Sequence, residues 1–504
     1  MGDALFDSPI REKNNEDRNM RPSRFFRRSL SAAFTSTLLA LALGANAQDP
    51  TEGEEALNMQ LVGYDDLQGR SAYQPIIQQQ GDRWIAYIGH HAGTHLNPLT
   101  GVEEGNGTSI LDVTNPENPQ YIAHIPGVAV PGEESEAQMV RTCMGSDLPN
   151  GIDTNVYLLR AVGRSGHDIW DVTAPEEPTL VSKIEDQGLV DTHKNWWECE
   201  TGIAYLVSGV EGWATRRMTQ VYDLSDPSEP RFIRNFGLPG QQPGSPNFDE
   251  MAKHDLHGPI AVGNRLYFGY GTFLDGVIQI VDRDRLVNGN PAVANPFEPT
   301  DENLEYPVIS TMFTGPRLGA HTAFPVLGIE VEEFADNSEG RTRDMLLVVG
   351  ESLRNECLEN RQMMYMVDIT DETRPWPVGN FQVPEESGNF CERGGRFGTH
   401  SSNENMTPIY YGKIVFLAYF NGGVRAVDIR DPWQPTEIGY YIPAINERTT
   451  QRCINVDGAE RCKRAIQTNN LEVDDRGYVY AVDRANTGLH IVELTGPVRD
   501  IADF

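Results

Sequence analysis

Three features of this 504-residue chain predict an all-β fold. One line of sequence recurs seven times, each copy alternates apolar and polar residues at the period of a strand, and each carries an Asp- and Pro-rich turn at the same place. Upstream of each copy lies a further apolar run, so a repeat holds about four strands at the spacing of propeller blades. The fold predicted is a single seven-bladed β-propeller.

The copies are TSILDVTNPENP from Thr108, HDIWDVTAPEEP from His167, TQVYDLSDPSEP from Thr219, VIQIVDRDRL from Val277, MMYMVDITDETRPWP from Met363, VRAVDIRDPWQP from Val424 and LHIVELTGP from Leu489. Each strand ends in an acidic residue, usually Asp, followed by a turn of the form D-P-x-x-P or a relative of it. Proline presets φ for such a turn, and the Asp carboxylate bonds backbone N–H groups two residues on. The runs that precede them are RWIAYIG, NVYLLRAVG, GIAYLVSG, RLYFGYG, MLLVVG, KIVFLAYF and YVYAVD. The fourth copy departs from the rule, with VDRDRLVNGNP in place of the turn and an insertion before the next strand.

These lines resemble the LVIVD-repeat family of exported bacterial and archaeal proteins. The resemblance extends over nearly all of the chain after its first 47 residues and implies a β-propeller. It implies almost nothing about activity, because propellers host unrelated functions.

The last copy ends without a following outer strand, which leaves an open edge. MQLVGYDDLQG, Met59 to Gly69, matches the outer-strand pattern of EIGYYIPA and FIRNFGLPG. The N-terminal strand is therefore expected to complete the C-terminal blade and close the ring.

In such a ring the first residues of the innermost strands surround the axis. In order they are Tyr73, Arg141, His193, His257, His321, His400 and Thr468, so four consecutive blades place a histidine at one register. Loops after the second strands should rim the same mouth, with His90, His91 and His95, then Arg164, Glu211, Tyr270, Asp275, Glu351, Asp483 and Arg484. Eight of the eleven histidines then share one face, the exceptions being His124, His167 and His490. Converging neutral imidazoles beside a carboxylate suit a transition metal ion, iron, copper or zinc. The expected ligands are His193, His257, His321 and His400; the expected catalytic residues are Arg141, Tyr73 and Glu351. The plainer reading is that a histidine at this register only bonds a neighbouring blade. Metal affinity, if the ring binds an ion, should fall below about pH 6.5, where an ordinary imidazole is protonated.

Residues 1–47 read as a signal peptide: a basic run RPSRFFRRSL, the apolar SAAFTSTLLALALG and a small-residue site at Ala45-Asn46-Ala47. The apolar run is too short to span a bilayer, which needs roughly 20 residues. Cleavage is expected after Ala47, with residues 48–504 forming the propeller in the periplasm or outside the cell. The pair Arg27-Arg28 leaves both the general and the twin-arginine export routes open. Beyond residue 47 the chain holds 34 basic and 68 acidic residues, a net charge near −34, which excludes nucleic acid as a natural partner. Six cysteines in an exported chain permit three disulfides in fifteen pairings; Cys453 and Cys462 bracket a short polar loop, and Cys143, Cys199, Cys357 and Cys391 are expected to pair as sequence neighbours. The functional expectation is an exported metal-dependent enzyme, of oxidoreductase type, acting on a small molecule or glycan. The alternative is a non-catalytic scaffold that binds protein or glycan at the cell surface.

Overall fold

The computed structural model describes residues 53–128, 136–164, 166–246, 248, 254–272, 275–331 and 342–504. The signal-peptide reading of residues 1–47 lies outside them. The fold is all-β and propeller-like, with 50% of residues in strands and 7% in helices. Five separate four-stranded antiparallel sheets follow one another along the chain, spanning residues 72–125, 140–184, 189–236, 256–313 and 322–381. A nine-stranded sheet contains the remaining repeats; its two halves meet only through the pair Phe420 and Thr468.

Met59–Asp65 pairs antiparallel with Leu489–Leu494, from Met59 opposite Leu494 to Asp65 opposite Leu489, as expected for the closing strand. An additional short strand, Glu55–Leu57, extends the sheet beside Thr436–Ile442. The first strands of successive sheets pack side by side in a closed cycle: Ala72–Gln80, Val140–Met144, Leu189–Trp197, Leu256–Val262, Thr322–Glu330, Phe397–Ser402, Thr468–Val473 and back to Ala72–Gln80.

Each sheet is covered on both faces by its neighbours, which explains why its inner strands are apolar throughout. Ile414–Phe420 is buried at every position, and Ile85, Ile110, Val140 and Leu158 form one of the apolar layers between sheets. The acidic residue that ends each third strand does what its chemistry requires. Asp112, Asp171, Asp223 and Asp368 each accept the amide N–H two residues on at 2.9 Å. In the aberrant fourth repeat Asp282 instead caps the helix Arg283–Asn288, accepting from the Arg285 amide at 3.0 Å. The third and fourth strands also share a register shift in six repeats, at Ile110/Leu111, Ile169/Trp170, Val221/Tyr222, Ile280/Val281, Met366/Val367 and Ala426/Val427. A bulge there adds the twist that an outer strand needs to wrap its blade.

The cysteines form Cys143–Cys199, Cys357–Cys391 and Cys453–Cys462, the pairing of sequence neighbours. The last does not staple a loop: it joins opposed residues of a hairpin, Gln451–Val456 with Ala459–Arg464. No helix among the described residues is long and apolar enough to cross a membrane.

Removing Met59–Gly69 takes away the partner of Leu489–Leu494 and uncovers Val492 and Leu494, both fully buried. The thermal midpoint followed by circular dichroism should fall and the transition broaden; an unchanged melt would contradict closure by this strand.

Candidate functional site

Closure of the first-strand ring brings five of the seven strand-start residues together. Tyr73 Oη lies 3.1 Å from His193 Nε2 and 2.8 Å from His257 Nε2, donating to one imidazole and accepting from the other. The rings of His193 and His257 meet edge to face, 5.0 Å between centroids, and those of His257 and His321 lie 3.3 Å apart. His400 is 4.5 Å from His321 and is oriented by its own Nδ1, 2.6 Å from the Asn469 carbonyl. All four histidines are buried.

Glu351 reaches the same cluster from the loop after a second strand. Its two carboxylate oxygens stand 3.9 Å from His321 Nε2 and 3.7 Å from His400 Nε2, and Arg396 fixes it through an ion pair at 3.0 Å. His321, Glu351 and His400 are the members whose ligand atoms already share one small volume, within 4.8 Å of each other. The Nε2 atoms of His193 and His257 are engaged by Tyr73. Burial, with neighbouring positive charges, holds all four imidazoles well below their ordinary pKa of 6.5. They are neutral at pH 7, and protons compete for their nitrogens only at lower pH than an ordinary imidazole would allow. Burial also pushes the Tyr73 hydroxyl up, so it remains a proton donor.

Tyr73, His193, His257, His400 and Glu351 floor a cavity of about 250 Å³ whose walls include His91, Gln138, Asp255, Arg216, Arg217, Arg396 and Arg484; His321 lies behind them and does not line it. Of the expected rim residues, His91, Glu351 and Arg484 line it. His90 is instead buried against Ser109 at 2.8 Å, His95 bonds Asn106 at 2.8 Å, and Tyr270 bonds Gln279 at 3.2 Å. Arg164 pairs with Asp191 on the surface, Glu211 is exposed, and Asp275 belongs to a neighbouring cavity.

Arg141 is not among the residues lining the cavity. Its guanidinium stacks on Trp196 at 4.7 Å and ion-pairs with Glu404, which also ion-pairs with Lys194. Burial alone would raise Glu404, but the two cations outweigh it and hold the carboxyl below its ordinary range. Glu472 completes the network, accepting the Asn405 amide at 2.9 Å and the Glu404 amide at 3.3 Å. Burial and the charge of Glu404 push Glu472 up to about 7 against the pull of Arg141. Thr468 is buried away from the cavity, with its backbone in the sheet opposite Asp483.

Lys194, Glu404 and Arg396 lie outside the strand starts and second-strand loops, and Arg217 lies in the same second-strand loop as Glu211, at its far end. Arg217 stands immediately before the third strand Met218–Asp223 and Arg396 immediately before Phe397–Ser402. The other limb of each hairpin, and the residue before each strand start, reach the mouth equally well.

No known family description and no curated protein matches the chain. Among solved structures, the crystal structure of Sqt1 from Chaetomium thermophilum aligns with 8% identity over 86% of this chain and 99% of that one, at a TM-score of 0.44. That likeness is too loose to carry any argument about function.

Two outcomes follow from the buried ion network. Lys194→Met leaves Glu404 with one cation in a dry interior and should destabilise the fold by about 3 kcal/mol in urea unfolding; a change within error would mean that Arg141 alone satisfies the carboxylate. Glu472 keeps its proton in the folded chain up to about pH 7, whereas its ordinary value is 4.5. The folded state therefore binds the extra proton between those values, and its stability falls as pH rises through that window. Glu472→Gln should flatten that slope when unfolding is compared at pH 5 and 7, and an unaltered slope would refute it.

Proposed function

We propose that this chain is an exported metal-dependent enzyme on a seven-bladed propeller of the LVIVD-repeat kind. The histidine cluster at the mouth is its active site. The five separate sheets, the two halves of the nine-stranded sheet and the closed cycle of first strands support the count of seven blades. Three disulfides support an oxidising compartment, the periplasm or the exterior.

The observation that carries the metal reading is His321 Nε2, a buried nitrogen without a hydrogen-bond partner among the described residues. A carboxylate and a second imidazole stand beside it at ligand spacing. Two donors each about 2.1 Å from one tetrahedral ion stand about 3.4 Å apart, close to the 3.7 and 3.9 Å separations from Glu351. His321, His400 and Glu351 would hold the ion, and His257 and His193 would add their Nε2 atoms only on releasing Tyr73. A donor set of imidazoles with one carboxylate suits iron, copper or zinc. Iron or copper would supply oxidoreductase chemistry, and zinc Lewis-acid chemistry.

The chain's own groups have definite tasks. Arg396 fixes the Glu351 carboxylate, Asn469 orients His400, and the Tyr73 hydroxyl, once released by the imidazole that accepts from it, donates a hydrogen bond to a reacting group entering from the cavity. Arg141, held by Glu404, stabilises the channel instead of meeting substrate. A scaffold role for the same face predicts an empty histidine cluster.

Elemental analysis of the purified protein distinguishes the two. Wild type should contain one of these metals stoichiometrically, and His321→Ala and His400→Ala should lose it while remaining folded. His124→Ala should keep the metal, although it costs stability, because His124 is buried against Glu104 at 2.6 Å. No stoichiometric metal in wild type would leave the scaffold role standing.

A further inference from the structure

The walls of the mouth are basic in a chain of net charge −32. Of four arginines there, two have carboxylate partners: Arg396 with Glu351 at 3.0 Å and Arg216 with Asp255 at 3.1 Å. The other two do not. Arg217 donates its Nε to the Asp191 carbonyl at 3.3 Å, and neither of its terminal nitrogens has a partner among the described residues. No side-chain hydrogen-bond partner exists for the Arg484 guanidinium among the described residues, and burial, then the Arg396 and Arg452 charges, pull its pKa down to about 9 against the opposite pull of Glu351.

Both arginines are held in place through their backbones. Asp483 accepts the amides of Gln467, Ala485 and Thr487, which fixes the turn that carries Arg484. The Arg484 carbonyl accepts from Ser71 Oγ at 2.8 Å and Arg452 at 2.9 Å. The Arg217 carbonyl accepts from the Leu256 amide at 3.1 Å, beside His257. Two guanidiniums with unused donors, fixed over a neutral imidazole floor and without a direct carboxylate ion pair of their own, leave donors for a ligand to complete. A carboxylate or phosphate oxyanion matches that fork of donors.

We infer that Arg217 and Arg484 form an oxyanion subsite at the mouth, so that the substrate is a small anion whose acid group they clamp over the histidine cluster. The position of the reacting group rests on the proposed metal site; binding of the anion does not. A cavity of about 250 Å³ admits a small acid and excludes a polymer chain from full enclosure. The acidic exterior would repel such an anion everywhere except at this mouth.

Isothermal titration with succinate in one arm and inorganic phosphate in the other tests the assignment, on protein as purified and on chelator-dialysed protein. At least one probe should bind in both preparations, more weakly as salt rises, and the arm that responds identifies the oxyanion. Arg217→Met and Arg484→Met should each weaken binding about 10-fold or more, with the thermal midpoint preserved; Arg484→Lys should recover part of the loss. Absence of binding in both arms, or affinity unchanged in the two Met variants, would overturn the inference. Binding by a protein that holds no stoichiometric metal as purified would sink the metal reading and leave the subsite intact.

Discussion

The mouth depends on one antiparallel pairing, Met59–Asp65 against Leu489–Leu494. That pair joins the two ends of the chain and lets Ala72–Gln80 pack between Thr468–Val473 and Val140–Met144. With the ring closed, a residue at the same register of each repeat is carried to one axis. Tyr73, from the first repeat, then touches His193 and His257 from the third and fourth across the opening. No local feature around His257 could arrange this; His257 joins the cluster only through contacts spanning most of the chain.

Closure also imposes a cost that the interior must offset. Seven strands converging on an axis bury polar residues there, and ionised groups are expensive away from water. The chain answers with a dense network in which Glu404 pairs with both Lys194 and Arg141, and Glu472 accepts two backbone amides. These residues come from three sheets, with Glu404 and Glu472 from the two halves of the nine-stranded one, so the network ties them across the channel. Beyond it lie the neutral imidazoles, where burial removes charge instead of balancing it. A charge-paired interior, and beyond it a neutral imidazole cluster under basic walls, is the chemical organisation of the molecule.

The repeat and its closing strand were legible in the sequence because they rest on local rules: period-two apolarity, an Asp at the strand end that caps the next turn, and Pro where φ must be fixed. The histidine register was legible for the same reason, since equivalent positions in a ring face one axis. The role of Glu351 as a neighbour of His321 and His400 required knowing how far a loop leans inward, which spacing does not encode. Arg141 stands at the correct register but is drawn away by Glu404, whose place four residues after His400 carries no periodic signal. The bulges between third and fourth strands were invisible because they arise from the twist of packed sheets; Arg396 was missed because it lies just before its strand, and Arg217 because it stands at the far end of the loop from which Glu211 was expected.

X-ray absorption at the edge of the bound metal tests the central claim most directly, that imidazoles and a carboxylate at the mouth share one ion. The account predicts an iron, copper or zinc edge with nitrogen and oxygen neighbours at about 2.0–2.2 Å and the outer-shell scattering of several imidazole rings. A sulfur shell, or an oxygen shell without imidazole scattering, would contradict it.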